Sequence, residues 1–434
     1  MRLGGAAFGG LVLALAAALI HLLQVPAEVR PAAEPGRHTV RILATRQVVP
    51  GPGLPDGLAL GASNNNLDAV RHDDGFVYLA FRTAPHHFAN TETRIVVLRS
   101  RDERRWQLDR EFFLGHDLRE PRLLSLPGRL VLFVSELGSD PLAFEPKGMM
   151  RAIREGGRWP ELARLGPDGA IGWRARTLDG IPALLAYRGG GSAYGTGETR
   201  MRIDLYRSDD GRDWRLWDPA HGPLYEGGGG EADLGRAGDG DYFGVIRVES
   251  GDDRGYGSRL CRAPAERPAE WRCRSDPRKY DSPFVFAQDG EVYLLGRRNL
   301  RGDGRFDRGV GPASGPGRFL RTVWNHLNYS LSRKRCALWR FVPEREAGES
   351  EAGERESESD VAVRLAFVLD LPSRGDTCFA AVLAGDRPDE RIVYDYSSPL
   401  GGDDLRWIEG QRGETRIYRH VLRFEPRAGS GAGG

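Results

Sequence analysis

Short apolar runs alternate with turn residues through most of the chain, while the 3.6-residue period of amphipathic helices is almost absent. The runs come in pairs around a turn that contains Gly or Asp, as in "EPRLLSLPGRLVLFVSE". Each pair predicts two strands joined by a tight turn. Six such pairs occupy residues 65–82, 120–136, 172–189, 231–249, 282–298 and 375–398.

Six similar units indicate a repeat architecture, and four short strands per unit are typical of a β-propeller blade. Radial packing of blades also hides the edge strands that a flat sheet would expose. The first strand, "HTVRILA", and the last, "TRIYRHVLRF", can complete one blade between them and close the ring. We therefore predict an all-β fold, with one six-bladed propeller over residues 38–426.

Two segments repeat a Ser, an Asp and a Trp at the same spacing, each directly after an apolar run. They read "RSRDERRW" at 99–106 and "RSDDGRDW" at 207–214. Ser and Asp side chains can bind backbone amides within a tight turn, and Gly211 tolerates positive φ. Each segment predicts a rigid turn between two strands, with the Trp packed back over the preceding strand.

The N-terminus is apolar from about residue 6 to residue 23 and is followed by a linker rich in Pro, Ala and Glu. Residues 1–25 are predicted to be a signal peptide or a membrane anchor, since the length suits both. Residues 26–37 are predicted to be a linker and 427–434 a flexible tail. The expected location is periplasmic, extracellular or membrane-anchored on the outer side.

The 434 residues include 62 basic and 61 acidic side chains, so no basic excess attracts phosphates and nucleic acid is not an expected partner. The acidic segment 344–360 predicts a solvated loop inside the fifth or sixth blade. No cofactor motif, CxxC or Cys/His cluster is found, so neither a cofactor nor a metal site is expected. We expect a monomer.

The four cysteines predict two disulfides, because an exported compartment favours oxidation. Cys261 and Cys273 flank a segment whose ends meet if it forms a hairpin, which leaves Cys336 to pair with Cys378. The alternative is four buried thiols.

Polar side chains mark the starts of the predicted inner strands, and in a propeller these starts converge on the central axis. They are Asn66, Asp68, Glu120, Arg122, Arg174, Glu231, Asp233, Asp281, Asp376 and Thr377. Any one of them alone could be a salt-bridged turn residue, but the recurrence across blades predicts an axial pocket. Such crowding should raise at least one carboxyl pKa.

Arginines end the predicted second strands, at Arg82, Arg188, Arg247, Arg297 and Arg298. We expect these ends at the opposite mouth of the channel from the strand starts, or partway along it. The arginines and carboxylates would then meet only in part.

The segment from Ser208 to Trp214 resembles a shortened Asp-box, the turn that recurs in sialidases and sialidase-like propellers. "EADLGRAGDGDYFGVIRVE" is similar to the sialidase stretch in which a Glu precedes a hairpin ending in a substrate-binding Arg. The resemblance implies that Glu231 acts as base to a tyrosine nucleophile and that Arg247 and Arg297 bind a substrate carboxylate. Asn66 stands where the third arginine of that triad would be.

The nucleophile implied by the resemblance is one of Tyr394, Tyr396 and Tyr418, with "YSSPL" suggesting Tyr396. Asp68 and Glu231 are the preferred acid and base, and Asp281 is a tuning group or a second carboxylate. The expected substrate-binding residues are Asn66, Arg82, Glu120, Arg122, Arg174, Arg188, Arg247, Arg297 and Asp376.

Three functions remain open on the sequence. The first is a glycoside hydrolase acting on a glycan, with an anionic sugar as one candidate. The others are a non-catalytic propeller that binds a glycan or a protein, and an anchored scaffold of the cell envelope. Carboxylates isolated in an open pocket would favour the enzyme, whereas carboxylates salt-bridged to the arginines would favour the binding propeller.

Overall fold

The structure is a computed structural model. It describes residues 29–34, 36–141, 143–189, 191, 200–252, 254–301, 315–343 and 363–427. The predicted signal or anchor segment 1–25, the acidic segment 344–360 and residues 428–434 of the predicted tail lie outside the described residues.

The described strands form six sheets arranged as the blades of a propeller. Strand β1 (His38–Val49) is the outermost strand of blade six. Blade one contains β2 (Ser63–Arg71), β3 (Val77–Ala84), β4 (Arg94–Ser100) and β5 (Gln107–Phe112). Blade two contains β6 (Leu118–Leu126), β7 (Arg129–Leu137), β8 (Pro146–Arg154) and β9 (Ala163–Leu165). Blade three contains β10 (Ile171–Leu178), β11 (Ile181–Arg188), β12 (Met201–Arg207), β13 (Arg215–Leu216) and β14 (Tyr225–Gly227).

The remaining blades follow the same order from the axis outward. Blade four contains β15 (Gly229–Gly235), β16 (Tyr242–Val248), β17 (Ser258–Ala263) and β18 (Arg272–Asp276). Blade five contains β19 (Asp281–Gln288), β20 (Glu291–Asn299), β21 (Lys334–Pro343) and β22 (Val363–Asp370). Blade six contains β23 (Ala381–Ala384), β24 (Glu390–Ser397), β25 (Arg416–Pro426) and β1.

The ring closes through the two ends of the chain, as the sequence predicts. Strand β1 pairs antiparallel with β25, from His38 opposite Pro426 to Val49 opposite Ile417. The N-terminal strand therefore completes the C-terminal blade. Because β1 is followed in sequence by β2, the chain itself connects blade six to blade one.

Burial follows the radial position of a strand. Strand β3 is buried at every residue, whereas the outer strand β5 exposes Gln107 and Leu108. Second strands pack between sheets on both faces, which explains continuous apolar runs such as "VYLAFR" in place of strict alternation. Each fully buried Leu or Phe in these strands contributes about 1.5–3 kcal/mol.

Two helices interrupt the blades: α1 (Gly315–Ser330), between β20 and β21, and α2 (Trp407–Arg412), between β24 and β25. The near absence of a helical period along the chain gives no indication of α1. Glycine is a poor helix former, so the glycines near the start of α1 do not predict a helix. Proline is common in a first helical turn, where no N–H is needed, and Pro316 is consistent with that position. No helix among the described residues is long and apolar enough to cross a membrane.

Both predicted disulfides are present. Cys261 and Cys273 lie opposite each other on β17 and β18, and Cys336 of β21 is bonded to Cys378, just before β23. The first bond ties two outer strands of one blade, whereas the second joins blade five to blade six.

The two Ser-Asp-Trp segments form turns between the third and fourth strands of blades one and three. The Ser208 hydroxyl accepts the Gly211 amide at 2.9 Å, and Asp102 Oδ1 accepts the amides of Arg104 and Arg105, both at 2.8 Å. These turns lie near the blade periphery, so their role is structural.

Candidate functional site

Each of the first five blades has a β-bulge near the start of its inner strand. The pairing shifts by one residue at Asn65/Leu67, Arg119/Arg122, Gly172/Arg174, Gly229/Ala232 and Asp281/Phe284. Asn66, Glu120 and Ser282 adopt positive φ values of 41°, 55° and 50° at these bulges. A bulge re-aims a side chain out of the regular alternation. It turns one residue per blade toward the axis.

The bulge residues line a cavity of about 300 Å³ on the propeller axis, which we call the axial cavity. Its floor and inner wall include Asn66, Glu120, Trp173, Glu231 and Ser282. Its rim comes from the loops after β3 and β7 and from α2, which supply His87, Phe88, Ala89, Pro141, Ala143, Phe144, Trp407 and Gln411. The rest of the wall includes Arg119, Leu137, Tyr187, Arg247, Arg297, Phe379 and Tyr396.

The expected placement of the second-strand arginines at the opposite mouth is wrong. In an antiparallel pair the end of the second strand lies beside the start of the first. Asn65 is paired with Arg82, and Asp281 with Arg297. Arginines and carboxylates of a blade therefore meet at the same mouth, and Arg247 and Arg297 line the axial cavity together with Glu231.

Tyr396 is the one of the three candidate tyrosines that lines the axial cavity. Its hydroxyl donates to Asp376 Oδ1 at 3.0 Å, and Arg297 Nη2 lies 3.4 Å from the same hydroxyl oxygen. Tyr394 instead donates to Glu103, and the Tyr418 hydroxyl accepts the amide of Leu400.

A histidine continues the chain of hydrogen bonds behind Tyr396. His87 Nδ1 lies 2.6 Å from Asp376 Oδ2. Burial lowers the pKa of His87, which favours the neutral ring. Burial alone would raise the pKa of Asp376, but His87, Arg297 and Tyr396 together hold it below its ordinary value. Burial and the Asp376 charge raise the pKa of Tyr396 well above its ordinary value, so the phenol needs a base to lose its proton.

Arg247 is surrounded by carboxylates. Its Nη1 contacts Glu231, its Nη2 contacts Glu249, and its Nε lies 2.6 Å from Asp281 Oδ1. The second oxygen of Glu231 accepts the Ser282 amide of the next blade at 2.6 Å. Burial raises the pKa of Glu231 despite the neighbouring arginine. Glu231 is thus tied to Arg247 and to the backbone, and no hydrogen bond joins it to Tyr396.

Helix α1 inserts a second tyrosine beside this network. The Tyr329 hydroxyl donates to Asp281 Oδ2 at 2.6 Å and accepts from Arg297 Nη1 at 2.8 Å. Lys334 Nζ lies 3.7 Å from the centre of the Tyr329 ring, and burial lowers the pKa of this lysine well below its ordinary value. Asp281 therefore acts within this buried network and does not line the axial cavity.

Glu120 is the least satisfied carboxyl group at the axial cavity. Its Oε2 atom is buried without a hydrogen-bond partner among the described residues, as is Asn66 Oδ1. Burial, and next the negative charge of Glu231, raise the pKa of Glu120 to about 7. The sequence-based expectation of a raised carboxyl pKa is met here, although burial outweighs like-charge crowding.

One or two residues beyond the bulges, a second layer of charged side chains fills the axis. We call it the lower layer, and it contains Asp68, Arg122, Arg174 and Asp233, all buried. Asp68 accepts the Leu123 amide at 2.9 Å, and Asp233 accepts the Val285 amide at 2.7 Å. Each carboxylate therefore joins its own blade to the next.

Three residues that the sequence predicts in the axial pocket, Asp68, Arg122 and Arg174, lie in the lower layer instead. Asp68 and Arg174 line a different cavity from the one that Glu231 lines. The Arg122 guanidinium lies 4.0 Å from the ring centre of Phe379 and has no hydrogen-bond partner among the described residues. Asp68 and Glu231 consequently do not face each other across one pocket.

Two further predicted substrate-binding residues lie away from the axial cavity wall. Arg82 forms a fully buried ion pair with Asp117, at 2.9 Å. Arg188 is 41 % exposed and lies 3.7 Å from Asp204. Both end a second strand, as predicted, but their side chains turn to neighbouring carboxylates of the scaffold.

Sequence reasoning missed the residues that come from insertions. His87 lies in the β3–β4 loop "APHHFAN", Tyr329 in α1, and Trp407 in α2. These connections open at the same mouth as the strand starts, because every second strand returns there. Long aromatic or histidine-rich connections after second strands were the signal that could have identified them.

The fold is shared with solved structures of low sequence identity. A protein of unknown function from Dyadobacter fermentans has a TM-score of 0.55 and 13% identity over 89% of this chain and 99% of its own. Trypanosoma rangeli sialidase in complex with the inhibitor DANA has a TM-score of 0.53 and 13% identity over 93% of this chain and 60% of its own. The sialic acid complex of that sialidase has a TM-score of 0.51 and 12% identity over 92% and 59%.

This chain therefore spans about 60% of the length of the trypanosomal sialidase. No family model and no curated protein matches the sequence. The similarity shows a sialidase-like six-bladed propeller fold.

Proposed function

We propose that the protein is a retaining glycoside hydrolase with Tyr396 as its nucleophile, acting on a glycan bound in the axial cavity. The observation that carries the proposal is that Tyr396 lines the axial cavity and that its hydroxyl lies between the Asp376 carboxylate at 3.0 Å and the Arg297 guanidinium at 3.4 Å. A phenol so placed has both a base to take its proton and a cation to stabilise the phenolate oxygen.

The first chemical step forms a bond between Tyr396 Oη and the anomeric carbon. The phenolic proton passes to Asp376, whose other oxygen is held by His87 at 2.6 Å. The glycosidic bond breaks, and its oxygen leaves with the proton of Glu120. A buried carboxyl group with a pKa of about 7 is still protonated in part at neutral pH, as a general acid requires.

The second step returns the protein to its starting state. Glu120, now a carboxylate, takes a proton from a water molecule that attacks the anomeric carbon. The bond to Tyr396 Oη breaks, and the phenol regains its proton from Asp376. Two displacements at one carbon retain its configuration.

Asp376 replaces Glu231 in this scheme as the base for Tyr396. Glu231 contacts Arg247 and the Ser282 amide, so its role is to position Arg247. The likeness of the fold to a sialidase that binds sialic acid supports a carbohydrate ligand.

A covalent trap tests the proposal. Purified protein is incubated with activated 2-fluoro glycosides, including a 2,3-difluoro sialic acid, and digested for peptide mass spectrometry. We expect a stoichiometric glycosyl adduct on Tyr396, and turnover of aryl glycosides should fall at least about a thousandfold in Tyr396→Phe.

Tyr394→Phe is the matched control, because Tyr394 lies on the same strand and its hydroxyl contacts Glu103 away from the axial cavity. It should keep its turnover. Labelling of another residue, or equal turnover by Tyr396→Phe and the wild type, would contradict the nucleophile assignment.

A glycan-binding module without activity is the second candidate. The ion pairs of Arg247 with Glu231, Glu249 and Asp281 favour it, since these groups satisfy one another as structural residues do. Saturable glycan binding with no turnover and no adduct would favour this alternative.

A further inference from the structure

The two arginines that the sialidase resemblance assigns to a substrate carboxylate are occupied by the protein's own oxygen atoms. All three nitrogen atoms of Arg247 contact carboxylates, namely those of Glu231, Glu249 and Asp281. A substrate carboxylate at Arg247 would have to displace one of these groups or lie beside three negative charges. Like charges at such distances repel, and burial strengthens the repulsion.

Arg297 directs its donors into the protein. Nε donates to the Thr377 carbonyl at 2.5 Å, Nη1 to the Tyr329 hydroxyl at 2.8 Å, and Nη2 lies 3.4 Å from the Cys378 carbonyl and the Tyr396 hydroxyl. The two tyrosines are in turn bound to Asp281 and Asp376. The cation is therefore enclosed by groups that already carry a negative counter-charge.

The remaining cation on the wall, Arg119, is paired as well. It contacts Asp117 and donates to the His87 carbonyl at 2.8 Å. Thus each cationic side chain that lines the axial cavity, within the part of the chain that the structure describes, already contacts oxygen atoms of the protein.

The polar groups left without partners suit hydroxyl groups. Glu120 Oε2, Asn66 Oδ1 and Trp173 Nε1 are buried at the axial cavity and lack hydrogen-bond partners among the described residues. A sugar hydroxyl both donates and accepts, so it can satisfy all three kinds of group. A carboxylate oxygen only accepts, so it can satisfy Trp173 Nε1 but would face the lone pairs of Asn66 Oδ1.

Aromatic side chains form much of the remaining wall. Trp173 packs against Phe379 with ring centres 5.4 Å apart, and Tyr187 lies 6.3 Å from Trp173. Phe88, Phe144 and Trp407 lie on the rim. Flat apolar rings with few polar groups bind the C–H face of a neutral pyranose without offering compensation to a buried anion.

On the basis of the proposed function, we infer that the axial cavity selects an uncharged sugar ring and discriminates against sugars that carry a carboxylate. Asn66 and Trp173 bind hydroxyl groups of the ring, Glu120 faces the glycosidic oxygen, and the aromatic wall covers the apolar face of the ring.

Matched pairs of ligands test the inference. Aryl and non-hydrolysable thioaryl glycosides of glucose, galactose and mannose are compared with the corresponding uronic acids, which differ only by a carboxylate at C6, and with aryl sialosides. Turnover is followed with the aryl glycosides, and binding to the full chain is followed by calorimetry with the thioglycosides. We expect the preferred neutral sugar to bind at least about tenfold more tightly than its uronic acid, a difference equal to one modest interaction.

The outcomes separate this inference from the proposed function. Neutral preference in binding without turnover supports the ligand class and contradicts the hydrolase. Turnover with a preference for a uronic acid or a sialoside supports the hydrolase and overturns the inference. Failure of every ligand to bind or react overturns both.

A charge introduced at the axial cavity provides a second test. Asn66→Arg adds a guanidinium to the cavity wall, and Asn66→Gln is the control for size and for the left-handed backbone at φ 41°. Asn66→Arg should shift the binding ratio toward the uronic acid by about tenfold, and Asn66→Gln should not. An unchanged ratio in Asn66→Arg would contradict the inference.

Discussion

The axial cavity and the lower layer contain the same kinds of charged residues, taken from the same inner strands. Glu231 and Asp233 are only two residues apart on β15. Yet the lower-layer carboxylates Asp68 and Asp233 each accept a backbone amide from the next blade, at 2.9 and 2.7 Å. At the axial cavity, Glu120 and Asn66 keep buried oxygen atoms without partners among the described residues.

The difference comes from the bulges. Below them the inner strands are regular, so the carboxylates Asp68 and Asp233 can accept backbone amides of the next blade, although Arg122 in the same layer has no hydrogen-bond partner among the described residues. At three of them, those of Asn66, Glu120 and Ser282, the backbone adopts left-handed conformations that cost on the order of 1–3 kcal/mol each, and the side chains turn toward the axial cavity. Unpartnered groups and local strain of this kind are typical of binding sites, whereas satisfied groups are typical of scaffold.

Among the substitutions that test this comparison, we expect the largest effect on turnover at Asp376. Asp376→Asn keeps the shape of the side chain but cannot accept the Tyr396 proton, so kcat should fall about a hundredfold to ten-thousandfold. Initial rates on the preferred aryl glycoside, with circular dichroism to confirm folding, measure it. Glu231→Gln is the comparison variant, and a larger loss there than in Asp376→Asn would return the base role to Glu231.

In the lower layer the expected effect is on stability. Asp233→Asn leaves the buried Arg174 and the partly exposed Arg176 without their shared carboxylate, which lies 3.4 and 2.5 Å from them. Breaking a buried ion pair from one side costs about 3–5 kcal/mol, and urea unfolding measures it. Turnover per folded molecule should remain unchanged. Glu231→Gln should be less destabilising, because Arg247 keeps Glu249 and Asp281, and the reverse order would remove the distinction between the layers.

Glu120→Gln tests the comparison through the pH dependence of the free energy of unfolding. The raised pKa, about 7, means that the folded protein binds a proton that the unfolded chain releases near its ordinary value of 4.5. Stability from this group is present at low pH and lost as pH rises through 7. The free energy of unfolding of Glu120→Gln, measured with urea, should therefore exceed that of the wild type by roughly 3 kcal/mol at pH 8.5, with little difference at pH 4.

The same group sets the pH dependence of turnover. Wild-type kcat/KM should decline above about pH 7 as Glu120 loses the proton that the leaving group needs. Equal stability of wild type and Glu120→Gln at pH 8.5 would show that Glu120 is not buried and unpartnered in solution.

The smallest expected effect concerns the close packing of α2 on the loop that carries Asp376. A Cβ atom on Gly410 would lie 2.2 Å from the Asp376 amide nitrogen. Gly410→Ala should force the two apart, cost about 1–3 kcal/mol and weaken substrate binding through the rim residue Trp407. Gly413→Ala is the control, since its nearest contact would be 3.6 Å, and equal KM values for the two variants would exclude this coupling.

Several features of the protein follow from the sequence alone. Paired apolar runs around Gly and Asp turns predict the hairpins of each blade, and the terminal runs predict closure of β1 on β25, because two-sided burial leaves a local pattern. Cysteine positions predict both disulfides. The recurrence of polar residues at strand starts locates the axis, since blade symmetry brings equivalent positions together.

The tertiary structure decided which of those axial residues form a site. Glu120 and Glu231 lie at one-residue bulges and line the axial cavity, whereas Asp68 and Arg122 lie beyond such bulges in the lower layer. A bulge depends on pairing with the next strand, so a local sequence pattern does not predict it. The partner of Tyr396 is Asp376, and Asp376 is held by His87 of the neighbouring blade one, 289 residues away in sequence. Hydrogen bonds between residues so far apart exist only after the ring closes, so the chemistry of the cavity belongs to the closed propeller.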